Sequence, residues 1–209
     1  MFRFPLSRCL LRLFPLASPW LAACTLTPHQ GPAGSTNSPK WQQHQRAVAS
    51  ITSYQTRGAF AWLSGSKKVY ARFNWQQSAP DHYRLLLTSP LGSTELQLTV
   101  QGNKAELIDN KGQHYSDNNA EKILRQLTGM AIPIDNLRQW ITGLPGNATE
   151  YSLDDKYQLK TAHYSHNGQE WTVTFNRYDT AQDPALPSLL ELSSGDNRLK
   201  LRMDSWSIK

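Results

Sequence analysis

The sequence predicts a mainly β (α+β) domain: one large, curved antiparallel sheet of about ten or eleven short strands, partly closed, with two or three helices over its open side. Three observations lead there. Apolar residues recur with period two in most stretches from Thr56 to the C-terminus, the spacing of a strand with one buried face. Short turns containing Gly, Asn or Ser separate those stretches. Helical spacing, framed by cap residues, is confined to a few segments. No repeat and no internal domain boundary is visible.

The first helix is signalled by Ser38 as a cap, Pro39 at the first helical position, and Trp41, His44, Val48 and Ile51 at spacings of three and four. From Thr56 the period becomes two, with Gly58, Phe60 and Trp62 on one face and Ala59, Ala61 and Leu63 on the other. After the turn Ser64-Gly65-Ser66, Val69, Ala71, Phe73 and Trp75 share a face opposite Lys68, Tyr70, Arg72 and Asn74. This is a hairpin with one apolar face. Strands over 83–88, 94–100 and 104–109 follow, joined by turns at Gln101-Gly102-Asn103 and Asn110-Lys111-Gly112. Two helices interrupt the sheet. Asp117 or Asn118 caps residues 120–127, where Ile123, Leu124 and Leu127 form a stripe before Gly129. Asp135 caps residues 136–141, with Leu137, Trp140 and Ile141 on one side and Gly143 as the stop. Strands resume over 156–164, 170–178, 188–192, 199–203 and 205–208.

Ahead of the domain lies an address. Arg3, Arg8 and Arg12 precede a short apolar stretch over 13–21, too short for a bilayer core of roughly 30 Å. It ends in Leu21-Ala22-Ala23-Cys24. That tetrapeptide resembles a bacterial lipobox, in which the Cys is lipidated before cleavage; the alternative is an ordinary secretory signal containing a Cys. Residues 1–23 are thus expected to be removed. Residues 24–39, rich in Pro, Gly, Ser and Thr, would then be a lipidated Cys and flexible tether reaching about 20 Å. Residues 40–209 would form the single folded domain. Removal takes Cys9 away and leaves Cys24 alone, so no intramolecular disulfide is expected.

Nineteen basic and sixteen acidic residues remain after position 23, a formal charge of +3 without a Lys/Arg cluster in sequence. This argues against a nucleic-acid surface. No Gly-x₄-Gly-Lys-Ser/Thr loop and no Gly-x-Ser-x-Gly elbow is present, so neither nucleotide hydrolysis nor a serine hydrolase is expected. His163 and His166 are the one close His pair and lack an acid or Cys at ligand spacing. Asp154-Asp155 reads as a solvated turn. The chain is therefore not expected to be an enzyme, to hold a metal or to need a cofactor.

Several separated stretches resemble the LolB family of outer-membrane lipoprotein-sorting receptors. They include Tyr54-Gln55-Thr56-Arg57-Gly58-Ala59-Phe60-Ala61, Val69-Tyr70-Ala71-Arg72-Phe73, and Ser89-Pro90-Leu91-Gly92-Ser93-Thr94-Glu95-Leu96. Others are Leu127-Thr128-Gly129-Met130, Leu137-Arg138-Gln139-Trp140-Ile141, Gly143-Leu144-Pro145-Gly146 and residues 200–209. The resemblance implies a half-open antiparallel β-barrel of about eleven strands with a helical lid over an apolar cavity for acyl chains. It implies a monomer that takes lipoproteins from a LolA-like periplasmic carrier and inserts them into the outer membrane, on whose periplasmic side it is itself anchored. It also implies that Leu91, on a loop between two strands, touches the bilayer during insertion.

The residues can be read toward the same end. Moving lipoprotein acyl chains of about sixteen carbons through water exposes roughly 0.8 kcal/mol of burial per methylene, so a carrier must supply replacement apolar surface. Trp62, Phe73, Trp75, Trp171 and Phe175 on strands, with Ile132, Ile134, Leu137, Trp140 and Ile141 near the second interrupting helix, are the candidate lining; the plain alternative is ordinary core. Leu91 stands between the turn formers Pro90 and Gly92, amid Thr88, Ser89, Ser93 and Thr94. It is either a membrane probe or a surface leucine. Two other roles remain open: a lipid-anchored binder of another amphiphile, and a structural lipoprotein of envelope assembly.

Overall fold

A computed structural model describes residues 34–209 apart from Ser66 and Asn167. The expected lipidation site Cys24 and the leader lie outside the described residues. Eleven strands form one sheet in the order β6-β5-β4-β3-β2-β1-β11-β10-β9-β8-β7, every neighbour antiparallel. In chain order they are β1 (Tyr54–Ser64), β2 (Lys67–Ala79), β3 (His82–Thr88), β4 (Thr94–Gln101), β5 (Lys104–Asp109), β6 (His114–Asp117), β7 (Glu150–Leu153), β8 (Leu159–His166), β9 (Gln169–Asp179), β10 (Leu186–Ser194) and β11 (Asn197–Ile208). The sheet is not closed. Its end strands β6 and β7 are joined through the helices α2 (Ala120–Thr128) and α3 (Ile134–Thr142), while α1 (Pro39–Ala49) precedes the sheet.

The first and last strands meet at the centre. β1 and β11 pair from Tyr54↔Ile208 to Ser64↔Asn197, with one register shift at Arg57/Gly58 that leaves Asp204 as the extra residue of a bulge. That bulge breaks the period of two, so β11 reads in sequence as two strands but is one. At the same place the backbones come very close: a Cβ on Gly58 would lie 1.7 Å from the Arg202 carbonyl oxygen. Only glycine fits there.

Two strands escape a sequence reading. β6 and β7 have four residues each, sit at the sheet edges and bury almost nothing, Leu153 excepted, so they carry little alternation. The helix caps also differ from expectation. Asn119, rather than Asp117 or Asn118, caps α2 by accepting from the Lys122 amide at 2.8 Å, while Asp117 pairs with the Lys122 ammonium at 2.7 Å. α3 begins at Ile134 after Pro133, with no side-chain cap, and Asp135 falls in its first turn. Both helices stop at a left-handed glycine, Gly129 and Gly143. α1 is capped by Ser38, as its sequence predicts. Ordered contacts reach back to Gly34, whose amide donates to the Asp154 carbonyl at 3.1 Å.

α2 packs on β4, β5 and β6, and α3 on β10 and α2, so the two helices cover the inner face of the sheet. The core is one apolar cluster drawn from nearly every element, beginning at Trp41.

Candidate functional site: the covered inner face and the Leu91 loop

The alternation of the strands puts an apolar set on one face, and curvature with helix cover makes that face an interior. All ten residues of the candidate lining fall in it. Trp62, Phe73, Trp75, Trp171 and Phe175 project from the sheet, Ile134, Leu137, Trp140 and Ile141 belong to α3, and Ile132 leads into it; each is at most 6 % exposed. Trp62 and Trp171 approach at 6.5 Å between ring centroids, Trp75 stacks on Tyr83 at 5.1 Å, and Trp140 meets Tyr164 edge-on at 5.7 Å. The Trp140 indole donates to the Pro145 carbonyl at 3.0 Å. The Trp62 and Trp75 indole N–H groups, equally buried, meet no acceptor among the described residues. Buried indole donors are ordinarily paired, so these two are unspent donors on the inner face.

Polar ties at the rim hold α3 in place. Tyr54 donates to the Arg138 carbonyl at 3.4 Å and Tyr83 to the Asp135 carboxylate at 3.4 Å. Burial pushes both phenols up from their ordinary range, and the neighbouring Asp135 carboxylate raises Tyr83 further. They are neutral donors at any physiological pH.

The interior opens beneath α2. A cleft of about 510 Å³ runs between that helix and β2–β5, with Val69, Ala71, Leu87, Leu96, Leu107, Leu127 and Met130 inside and Lys67, Glu95, Asp109 and Lys111 at the rim. Lys67 fastens one end of the cover, donating from Nζ to the Thr128 carbonyl at the last turn of α2 at 2.5 Å. Leu127, on α2, is 39 % exposed at this mouth. The cleft residues were not among the candidates read from the sequence. Their strand members follow the same alternation as the aromatic ones, so that signal was present; the position of α2 over them was not.

Leu91 is 98 % exposed. Its loop between β3 and β4 is held by its own hydrogen bonds: the Ser89 amide donates to the Ser93 carbonyl at 2.8 Å, Gly92 donates to the Ser89 carbonyl at 2.9 Å, and the Ser89 and Ser93 hydroxyls lie 2.7 Å apart. A braced loop therefore presents a lone isobutyl group to the surroundings. Among the described residues no group of three or more His, Cys, Asp or Glu gathers as a metal site would. No described helix is long and apolar enough to cross a membrane.

The family model described as outer membrane lipoprotein LolB matches residues 52–206. The outer-membrane lipoprotein LolB of Erwinia tasmaniensis is 61 % identical over 203 residues, covering 97 % of this chain and 98 % of its own. That of Serratia proteamaculans is 58 % identical over 200 residues, covering 96 % and 97 %. Among solved structures, a LolA superfamily protein from Nitrosomonas europaea shares the fold with a TM-score of 0.55 at 11 % identity, covering 80 % of this chain and 93 % of its own. A DUF1329 family protein from Desulfovibrio piger also has a TM-score of 0.55 at 11 % identity, covering 81 % and 92 %.

Proposed function

Because this chain belongs to the LolB family of outer-membrane lipoproteins, we propose that it accepts lipoproteins from a LolA-like periplasmic carrier, shelters their acyl chains against its inner face, and releases them into the outer membrane without nucleotide hydrolysis. The observation that carries this reading is the cleft under α2, whose polar rim gives way to apolar residues that belong to the buried apolar cluster. Its volume lies in the range of small-ligand sites. Three acyl chains require α2 to move, and α2 is fastened at its C-terminal end by one exposed lysine. The Trp62 and Trp75 N–H groups would then find acceptors in the ester and amide carbonyls of the lipoprotein anchor.

In this reading Cys24 carries the lipid that holds the receptor on the membrane, and Leu91 enters the bilayer as cargo leaves. Tethering suits a terminal receptor and would disable a shuttle. The decisive experiment mixes the mature chain bearing Cys24→Ser with a purified carrier loaded with a lipoprotein, without nucleotide. Cargo that moves to this chain and returns poorly supports the proposal. A folded chain that never takes cargo sinks it and leaves a lipid-anchored binder of another amphiphile in its place.

A further inference from the structure

The outer face of the sheet carries a second groove, on the side away from the cargo interior. Ala59 and Ala61 of β1 point outward; Ala59 sits between Arg72 and Arg202, and Ala61 between Tyr70 and Lys200. The small alanines form a floor, the longer side chains of β2 and β11 form walls, and Pro90 closes one end, enclosing about 450 Å³. Pro90 is the neighbour of Leu91, so the groove and the exposed loop tip are continuous.

Its charge is arranged in an uncommon way. Asp204 is shared by two guanidiniums, Arg202 at 2.7 Å and Arg72 at 3.6 Å. Glu191 is likewise shared by Lys200 at 3.2 Å and Arg198 at 3.7 Å. Each acid steadies two half-exposed cations and neutralises one. Arg57 and Lys68, outward on β1 and β2, have no such partner among the ion pairs of the described residues and raise the surplus on the outward positions of β1, β2, β10 and β11 to four positive charges. That exceeds the +3 of all residues after position 23. Elsewhere, then, the chain is close to neutral or slightly negative, and the positive potential is concentrated here.

An apolar floor, an exposed tyrosine and steadied guanidiniums together fit an amphiphile with an anionic head. Guanidinium forks match phosphate oxygens, and tyrosine suits the level of lipid headgroups. We propose that this groove takes the phosphate headgroup of an anionic phospholipid, docking the outer face of the sheet on the bilayer beside the point where Leu91 enters. This deepens the release step of the proposed function, but the binding measurement that tests it uses no cargo, and cargo transfer enters only as a separate comparison.

The test is co-sedimentation of the mature Cys24→Ser chain with vesicles of phosphatidylcholine alone or mixed with phosphatidylglycerol. The described core draws on residues from Trp41 onward, so this chain retains it. Binding is expected to rise with phosphatidylglycerol and fall with salt. The Arg72→Gln/Lys200→Gln pair should lower affinity for the mixed vesicles at least about tenfold, with an unchanged melting temperature. Ala61→Phe, which fills the floor and keeps every charge, should lower it several-fold. Leu91→Ser, which removes the apolar tip without adding charge, should weaken binding to both vesicle types alike and leave the phosphatidylglycerol preference intact. Equal binding to both vesicle types overturns the proposal, as does a groove variant that binds like the parent. So does a loss confined to transfer from a loaded carrier, which would make the groove a seat for an acidic protein. A failure of cargo transfer with a retained phosphatidylglycerol preference would strike the receptor reading alone.

Discussion

At Gly58 and Leu91 single residues carry opposite burdens. Gly58 lies where β1 crosses closest to β11, and a Cβ would meet the Arg202 carbonyl at 1.7 Å and the Phe73 ring at 3.0 Å. Backbone cannot yield there without breaking the central register, so Gly58→Ala is expected to cost about 3 kcal/mol or more, read as a lowered urea midpoint. Leu91 touches almost nothing, and Leu91→Glu should leave stability within about 0.5 kcal/mol of the parent. The same variant should accept cargo from a loaded carrier and fail to release it into liposomes; normal release would remove Leu91 from the mechanism. Both residues were visible in sequence, Leu91 through the flanking Pro90 and Gly92. The reason Gly58 must be glycine was not, since it depends on a strand about 140 positions later.

Among the elements, strands were legible where one face is apolar and illegible at the edges. β1 to β5 and β8 to β10 each alternate between buried and less buried positions over most of their length. β6 and β7 pair on one side only and are largely polar, so their sequences hold no period to read. The α2 cap was ambiguous because Asp117, Asn118 and Asn119 are all good capping residues, and geometry chose the third. The cleft was illegible for another reason: it arises where α2 stands over β2–β5 without filling the space beneath it, a relation between elements that no local pattern encodes. α2 is the element the proposed function needs to move. Lys67→Met removes its C-terminal fastening at a cost of about 0.5 kcal/mol, small because the bond is exposed. Amide hydrogen exchange over α2 should quicken while β1 and β11 keep their protection. Asn119→Ala, which removes the N-terminal cap, should destabilise α2 by about 1 kcal/mol and add to the same effect. Uniform acceleration over the whole chain would show that α2 does not open by itself.

The whole molecule depends on pairing its two ends. β1 and β11 are the central strands of an open sheet, and one of the two longest ladders in it joins residues 54–64 to 197–208. Such non-local pairing is slow to form, on the order of milliseconds to seconds for sheet proteins, and it leaves neither half complete without the other. Removing residues 197–209 would strip the inner face of Leu199, Leu201 and Met203, each at most 4 % exposed. It would also orphan the hydrogen-bonding edges of both β1 and β10 at once. The remaining halves, one ending in α2 and the other beginning with α3, would expose the inner face that the helices now cover. The truncated chain is therefore expected to lose its cooperative thermal transition by circular dichroism and to lose protection of its buried tryptophans from an aqueous fluorescence quencher. A surviving cooperative transition would mean that the half-barrel is two independently stable sheets. In that case cargo could be admitted by parting β1 from β11 rather than by lifting α2, and the Lys67 and Asn119 variants would leave cargo uptake unchanged.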